Sequence, residues 1–143
     1  MRAVTPQTLG AWVIKCNPAV TDIAPMLAAG AAKPWWCVAD NYRSRLLADG
    51  QRVLFWVSGC RRGIWGAGRV TGVAVPGDDG RLHVPTAIAL FDEPVPAAAL
   101  LTVPGLGALE VFRSPQQANP SWVDVAALEL LRPLLPPGAW AQR

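Results

Sequence analysis

Charge is scarce in this sequence. Only 16% of its 143 residues are Asp, Glu, Lys or Arg, against 52% hydrophobic. Disordered chains show the reverse balance, so a folded core is expected, and the length fits one domain over 1–143. Histidine is nearly absent, with His83 the single example. The three cysteines, Cys16, Cys37 and Cys60, form no Cys-x-x-Cys pair. Zinc ligands cluster at such short spacings, so no metal site is expected. An odd number of widely spaced cysteines also argues against a disulfide framework and points to reduced thiols in a cytoplasmic protein. No apolar run reaches the length of a membrane span, and the N-terminus has no signal-type stretch. Internal repeats and low-complexity blocks are missing too.

Catalytic signatures are equally thin. The chain has no Gly-x-Ser-x-Gly, no phosphate-binding Gly-Lys loop, and no Gly-x-Gly-x-x-Gly leading from a strand into a helix. Any Ser-His or Cys-His couple must use His83, which sits in an expected strand between Leu82 and Val84. Asp78-Asp79 lies in a Pro-Gly loop, and Asp92-Glu93 is the adjacent carboxylate pair beside an expected strand. It precedes a proline turn, whereas acid–base pairs usually come from separate elements. A non-enzymatic protein with no cofactor is the reading.

Tryptophan is what the chain has in abundance, with seven. Indole is costly to leave in water and offers a flat face plus one N–H donor. Trp12, Trp35, Trp36, Trp56 and Trp65 all fall in or beside expected strands. They are either core or part of a slot for a planar ligand. Strand neighbours face opposite sides, so Trp35 and Trp36 cannot share one pocket. The same alternation puts Lys15 and Asn17 on one face with Cys16 opposite, and groups Leu54, Trp56 and Ser58. Lys15, Asn17 and Ser58 are therefore expected to gather with an indole at the sheet's rim. Stacking, hydrogen-bond donors and charge together suit a flat heterocycle, and stacking a base on an aromatic ring contributes roughly 1–3 kcal/mol.

Punctuation by Gly, Pro, Asn and Asp divides the chain. Strands are expected over 11–14, 35–38, 51–58, 64–75, 82–91 and 109–112. Pro85 should push the strand over 82–91 toward an edge, and the glycines at 66, 68 and 72 mark bulges or close backbone approach. A first helix should start at Thr21 or Asp22, carry Pro25 in its first turn and stop at Gly30. One helical turn is expected within 41–48 and another over 97–101. Ser114 to Pro120 reads as a polar loop. A C-terminal helix over 123–131 takes Ser121 as its N-cap and ends at Pro133. Residues 133–143 read as a frayed tail. Six arginines, Arg43, Arg45, Arg52, Arg61, Arg62 and Arg69, fall between 43 and 69 with Asp49 the only acid. That segment is a solvated basic face or a phosphate-contacting one.

Four of these segments, in order, resemble the EVE domain family of the PUA-like superfamily, related to YTH and ASCH domains. They are Trp12-Val13-Ile14-Lys15-Cys16-Asn17-Pro18, Trp36-Cys37-Val38 with Asn41-Tyr42, the run from Asp49 to Gly59, and the run from Gly63 to Val70. The resemblance is strongest over 11–75. It implies an α+β fold, a small bent β-barrel with flanking helices, and a pocket that reads a modified nucleobase in DNA or RNA. Carried over by position, it implies pocket roles for Trp36, Lys15, Cys16, Asn17, Ser58 and Tyr42. Trp122 is the candidate from the second half. Arg43, Arg45, Arg61 and Arg62 become candidate phosphate contacts. Asn17 stands where relatives commonly carry an acid, a change that alters which base edge is read. The alternatives are a small-molecule or nucleotide-binding accessory domain, and a protein-interaction subunit of a nuclease or RNA-modification system.

Overall fold

The computed structural model describes residues 3–140. Its centre is a pair of parallel strands, β1 (Leu9–Cys16) and β3 (Arg52–Val57). Both are buried on both faces, which explains why they read as continuous apolar runs. Their register runs from Trp12 opposite Val53 to Cys16 opposite Val57. Parallel neighbours need a long crossover, and here it contains α1 (Ala24–Ala29) and β2 (Trp35–Val38). Strand β4 (Gly63–Val70) returns antiparallel to β3. After the short β5 (Val75–Pro76) comes β6 (Leu82–Pro96), long enough to serve two sets of neighbours. Its start pairs with β2 and β5, and from Thr86 onward it pairs with β4. Helix α2 (Ala97–Leu101) and helix α3 (Glu110–Arg113) follow. Strand β7 (Ser121–Asp124) then adds antiparallel to β1 and runs directly into α4 (Val125–Leu131).

The resulting order is β2-β6-β4-β3-β1-β7, with β5 beside β6. The sheet curls until its two edges touch: the Ala39 N–H, just past β2, donates to the Asn119 carbonyl, just before β7, at 2.8 Å. This is the α+β, small bent barrel that the sequence implies. Register shifts at Phe55/Trp56 and Ile64/Gly66 accompany the bend. Gly68 allows β6 to come close, because a Cβ there would lie 1.8 Å from the Ala87 carbonyl oxygen.

Strand alternation splits the core. Trp12, Ile14, Cys16, Phe55 and Val57 pack with Trp36 and Val38 inside the curl. Ala11, Val13, Leu54 and Trp56 face the other way, against Leu100, Val111, Leu128 and Leu131 of the helices. Trp12, Trp56 and Trp65 are core residues. Two of their donors are used: Trp12 Nε1 donates to Gln51 Oε1 at 2.7 Å and Trp65 Nε1 to the Arg61 carbonyl at 3.2 Å.

Several expected boundaries move. The strand expected over 109–112 is instead the helical turn Glu110–Arg113, because a short apolar run fits either period. Ser121 lies in β7 and caps nothing. Asp124 is the N-cap of α4, its Oδ1 accepting from Ala127 N at 2.7 Å. Helix α1 starts at Ala24, with Asp22 Oδ1 accepting from Ala24 N at 3.0 Å. The strand expected over 64–75 ends at Val70. Pro85 sits inside the sheet, harmlessly, because β6 changes partners there. The tail up to Trp140 is docked: Trp140 Nε1 donates to the Gly68 carbonyl at 2.9 Å, and Arg69 Nη2 to the Trp140 carbonyl at 3.1 Å. Residues 141–143 lie outside the described residues.

Candidate functional site

The carboxyl ends of β1 and β3 finish side by side, and the Ser58 N–H donates to the Cys16 carbonyl at 2.9 Å. This parallel pairing brings Lys15, Cys16, Asn17 and Ser58 to one rim, although 43 positions separate the first from the last. Alternation then sorts them. Cys16 turns inward and is buried, Lys15 and Ser58 are half-buried, and Asn17 is exposed. Burial pushes the Cys16 thiol up, an effect partly offset by the Lys33 charge.

The loop from Ser114 to Pro120 is tied across the end of β1. Asn119 grips Lys15 from both sides, its Oδ1 accepting from Lys15 N at 2.8 Å and its Nδ2 donating to the Lys15 carbonyl at 3.1 Å. Asn119 thus continues the β1–β7 ladder with an amide side chain. The Lys15 ammonium donates to the Gln117 carbonyl and, at 3.5 Å, to that of Pro115. Burial lowers the Lys15 pKa, with Glu110 opposing and Arg43 assisting.

Beneath this rim lies an internal ion pair. Arg43 Nη1 and Nη2 donate to Glu110 Oε1 and Oε2 at 2.7 and 2.8 Å, and Nη1 also reaches the Pro120 carbonyl at 3.1 Å. Both side chains are about 6% exposed. Burial alone would raise the Glu110 pKa, but the hydrogen bonds and charge of Arg43, with help from the Lys15 charge, hold it below the usual range. The bonds to Glu110 raise the Arg43 pKa above its ordinary value. A guanidinium so enclosed and neutralised cannot meet a phosphate. The expectation for Arg43 is therefore corrected: it is a strut under the rim.

The remaining candidates disperse. Arg61 and Arg62 are exposed in the turn after Ser58, their guanidiniums 5.4 Å from the ring centroids of Trp65 and Phe112. Arg45 is exposed, 3.6 Å from Asp40. Tyr42 is exposed on one side while its hydroxyl accepts from Val4 N at 3.2 Å. Trp36 is only 4% exposed and Trp35 46%, as alternation requires. Trp36 lies in the same buried cluster as Cys16. Trp122 is half-buried and borders a cleft of about 290 Å³ with Glu110, Arg113 and Leu130, which none of Lys15, Asn17 and Ser58 lines. On β7 Trp122 pairs with Trp12, three positions before Lys15, and packs against the cluster that holds Trp36 and Cys16.

What remains open at the rim is rich in donors. Asn17 Oδ1 is taken by Ala19 N at 3.0 Å, leaving its NH2 outward. The Ser58 hydroxyl makes no hydrogen bond among the described residues. Such a rim suits the acceptor edge of a planar ligand. Among the described residues no group of three or more His, Cys, Asp or Glu could hold a metal ion, and no helix is long and apolar enough to cross a membrane. Sequence reasoning missed Glu110 and Asn119. A lone acid inside the apolar run 109–112 was the available signal for the first; for the second there was only an Asn-Pro turn.

Comparison with known proteins adds a family. The EVE domain model matches residues 10–137. Among solved structures, an NMR structure of a protein from Rhodopseudomonas palustris superposes with a TM-score of 0.67 at 21% identity, over 87% of this chain and 91% of that one. A crystal structure of a protein from Pseudomonas syringae gives 0.65 at 18%, over 88% and 100%. A hypothetical protein from Leishmania major gives 0.66 at 17%, over 88% and 94%. Likeness at these identities speaks for the fold. No curated protein matches the sequence.

Proposed function

The chain belongs to the EVE domain family, a family of PUA-like binding domains, and from that premise we propose that it binds nucleic acid and reads a modified base without catalysing a reaction on it. The observation that carries this reading is the convergence of Lys15, Asn17 and Ser58 on one donor-rich rim at the carboxyl ends of parallel β1 and β3. The base leaves its stack, at a cost of a few kcal/mol. Its acceptor edge meets the Asn17 amide, the Ser58 hydroxyl and the Lys15 ammonium. Trp36 supplies the stacking face, with Cys16 and Tyr42 as neighbouring walls. The flanking phosphates run toward Arg61 and Arg62, three and four residues past Ser58, and toward Arg45.

A single methyl group adds only about 0.8 kcal/mol of apolar burial. Discrimination therefore depends on donors left unpaired by the wrong base. The test is a fluorescence-polarisation panel of DNA and RNA oligonucleotides, single-stranded and duplex, each unmodified or carrying one 5-methylcytosine or N6-methyladenine, at two salt concentrations. Tighter binding of one modified form, weakening steeply with salt, is expected. Equal affinity across the panel, or none, contradicts the reading. Ser58→Ala is the cleaner site variant, because truncating the buried Trp36 to Ala would itself cost about 3–5 kcal/mol of stability.

A further inference from the structure

One residue near the rim was not singled out by its sequence. Lys33 lies in the connection between α1 and β2 and is exposed. Its carbonyl accepts the Trp36 indole N–H at 2.9 Å. Its ammonium folds back to 4.5 Å from the Trp36 ring centroid. Phe55 packs at 5.3 Å from the same ring, tilted by 54°. The indole is thus held between an aromatic neighbour in the core and a cation that reaches it from the surface. The Lys33 charge also acts on Cys16, the rim's inward-facing residue. No salt bridge holds Lys33 elsewhere among the described residues.

We propose that Lys33 is a displaceable cap on Trp36. In the free protein its ammonium occupies the ring face on which a base stacks; an entering nucleotide displaces it, and it then pairs with a phosphate or acceptor atom of that nucleotide. The inference rests on the reading of Trp36 as the stacking face. Two properties of the cap permit the exchange. A cation over an indole at a surface site is held weakly enough to be displaced, and an exposed lysine side chain rearranges in picoseconds to nanoseconds. The cap also explains how a residue only 4% exposed can serve as a binding face.

The chain has only two lysines, Lys15 and Lys33, so NMR can resolve their side chains cleanly. In the free protein the Lys33 ε-methylene protons should lie upfield of the ordinary lysine position through the ring current of Trp36. On titration with the tightest oligonucleotide from the panel they should return to that position. Lys33→Ala should raise the affinity for the uncharged nucleosides 5-methylcytidine or N6-methyladenosine by about three-fold, the scale of an exposed cation–π contact. Unshifted Lys33 protons in the free protein overturn the cap. Oligonucleotide binding by the wild type with Lys33 protons that do not move overturns displacement while leaving the base-reader reading intact. Absence of binding to every member of the panel overturns that reading, and the cap with it.

Discussion

The rim at the ends of β1 and β3 and the clamp beneath it are built from the same kinds of residue, yet they differ in one respect. In the clamp every strong polar group has a partner. Arg43 and Glu110 are bidentate, and Asn119 spends its carbonyl and one N–H on Lys15. At the rim the Asn17 NH2 and the Ser58 hydroxyl have none among the described residues. A satisfied polar network fixes a structure, because each lost partner leaves a buried group unpaired. An unsatisfied group at the surface is held by water and can exchange water for a ligand. The contrast teaches that polar character alone does not identify a site; spare hydrogen-bonding capacity does.

Breaking the clamp should give the largest effect. Glu110→Ala leaves the Arg43 charge buried without its counter-ion and should cost about 3–5 kcal/mol in urea denaturation. The double change Arg43→Met with Glu110→Leu should recover most of it, since a buried pair replaced by apolar volume is often near neutral. The pair also sets a pH dependence. The folded-state pKa of Glu110 is depressed, so its stabilisation is fully present above the unfolded-state value of about 4.3 and is lost as pH falls through the lower folded value. Urea midpoints measured down through acid pH should fall more steeply for the wild type than for the double variant.

Asn119→Ala removes two hydrogen bonds and should cost about 2 kcal/mol. It should also weaken oligonucleotide binding, because the Lys15 backbone loses its anchor. At the rim the pattern should reverse. Ser58→Ala should change stability by under about 0.5 kcal/mol, while lowering affinity for the preferred oligonucleotide by roughly ten-fold, the scale of one hydrogen bond to a ligand. Replacing Arg61 and Arg62 with alanine should leave the urea midpoint unchanged. It should also reduce the magnitude of the salt slope of single-strand binding by about 0.7 for each phosphate no longer neutralised. A drop in stability in either rim variant would erase the distinction between rim and clamp.

How much of this was legible in the sequence follows the same division. The rim was legible because strand alternation is local. From period 2 alone Lys15 and Asn17 share a face, Ser58 falls with Leu54 and Trp56, and Trp35 opposes Trp36; the family resemblance then chose Trp36 for the slot. The clamp was not. Arg43 and Glu110 are 67 positions apart, and Arg43 sits in a run of arginines that differ only in burial. Arg45, Arg61 and Arg62 stayed outside while Arg43 and Arg69 became internal staples, a choice made by tertiary packing. Glu110 belongs to a short apolar run whose period fits a strand or a turn of helix, so its inward direction could not be read. The docked tail was hidden for the same reason: Pro136-Pro137-Gly138 signals a chain end, and only the Gly68 carbonyl, 72 positions before Trp140, shows what holds it.

The central claim is that the open rim, and not the clamp or another cleft, takes the ligand. Backbone amide chemical shifts, followed while the preferred modified oligonucleotide is added, test this most directly. The predicted result is perturbation centred on Lys15 to Asn17, on Lys33 to Trp36 and on Ser58 to Arg62, with the amides of Gly77 and Asp79, in the cleft of about 500 Å³ beside β5, left in place. Perturbation confined to that cleft, or to the groove along Gly68, Thr86 and Trp140, would contradict it.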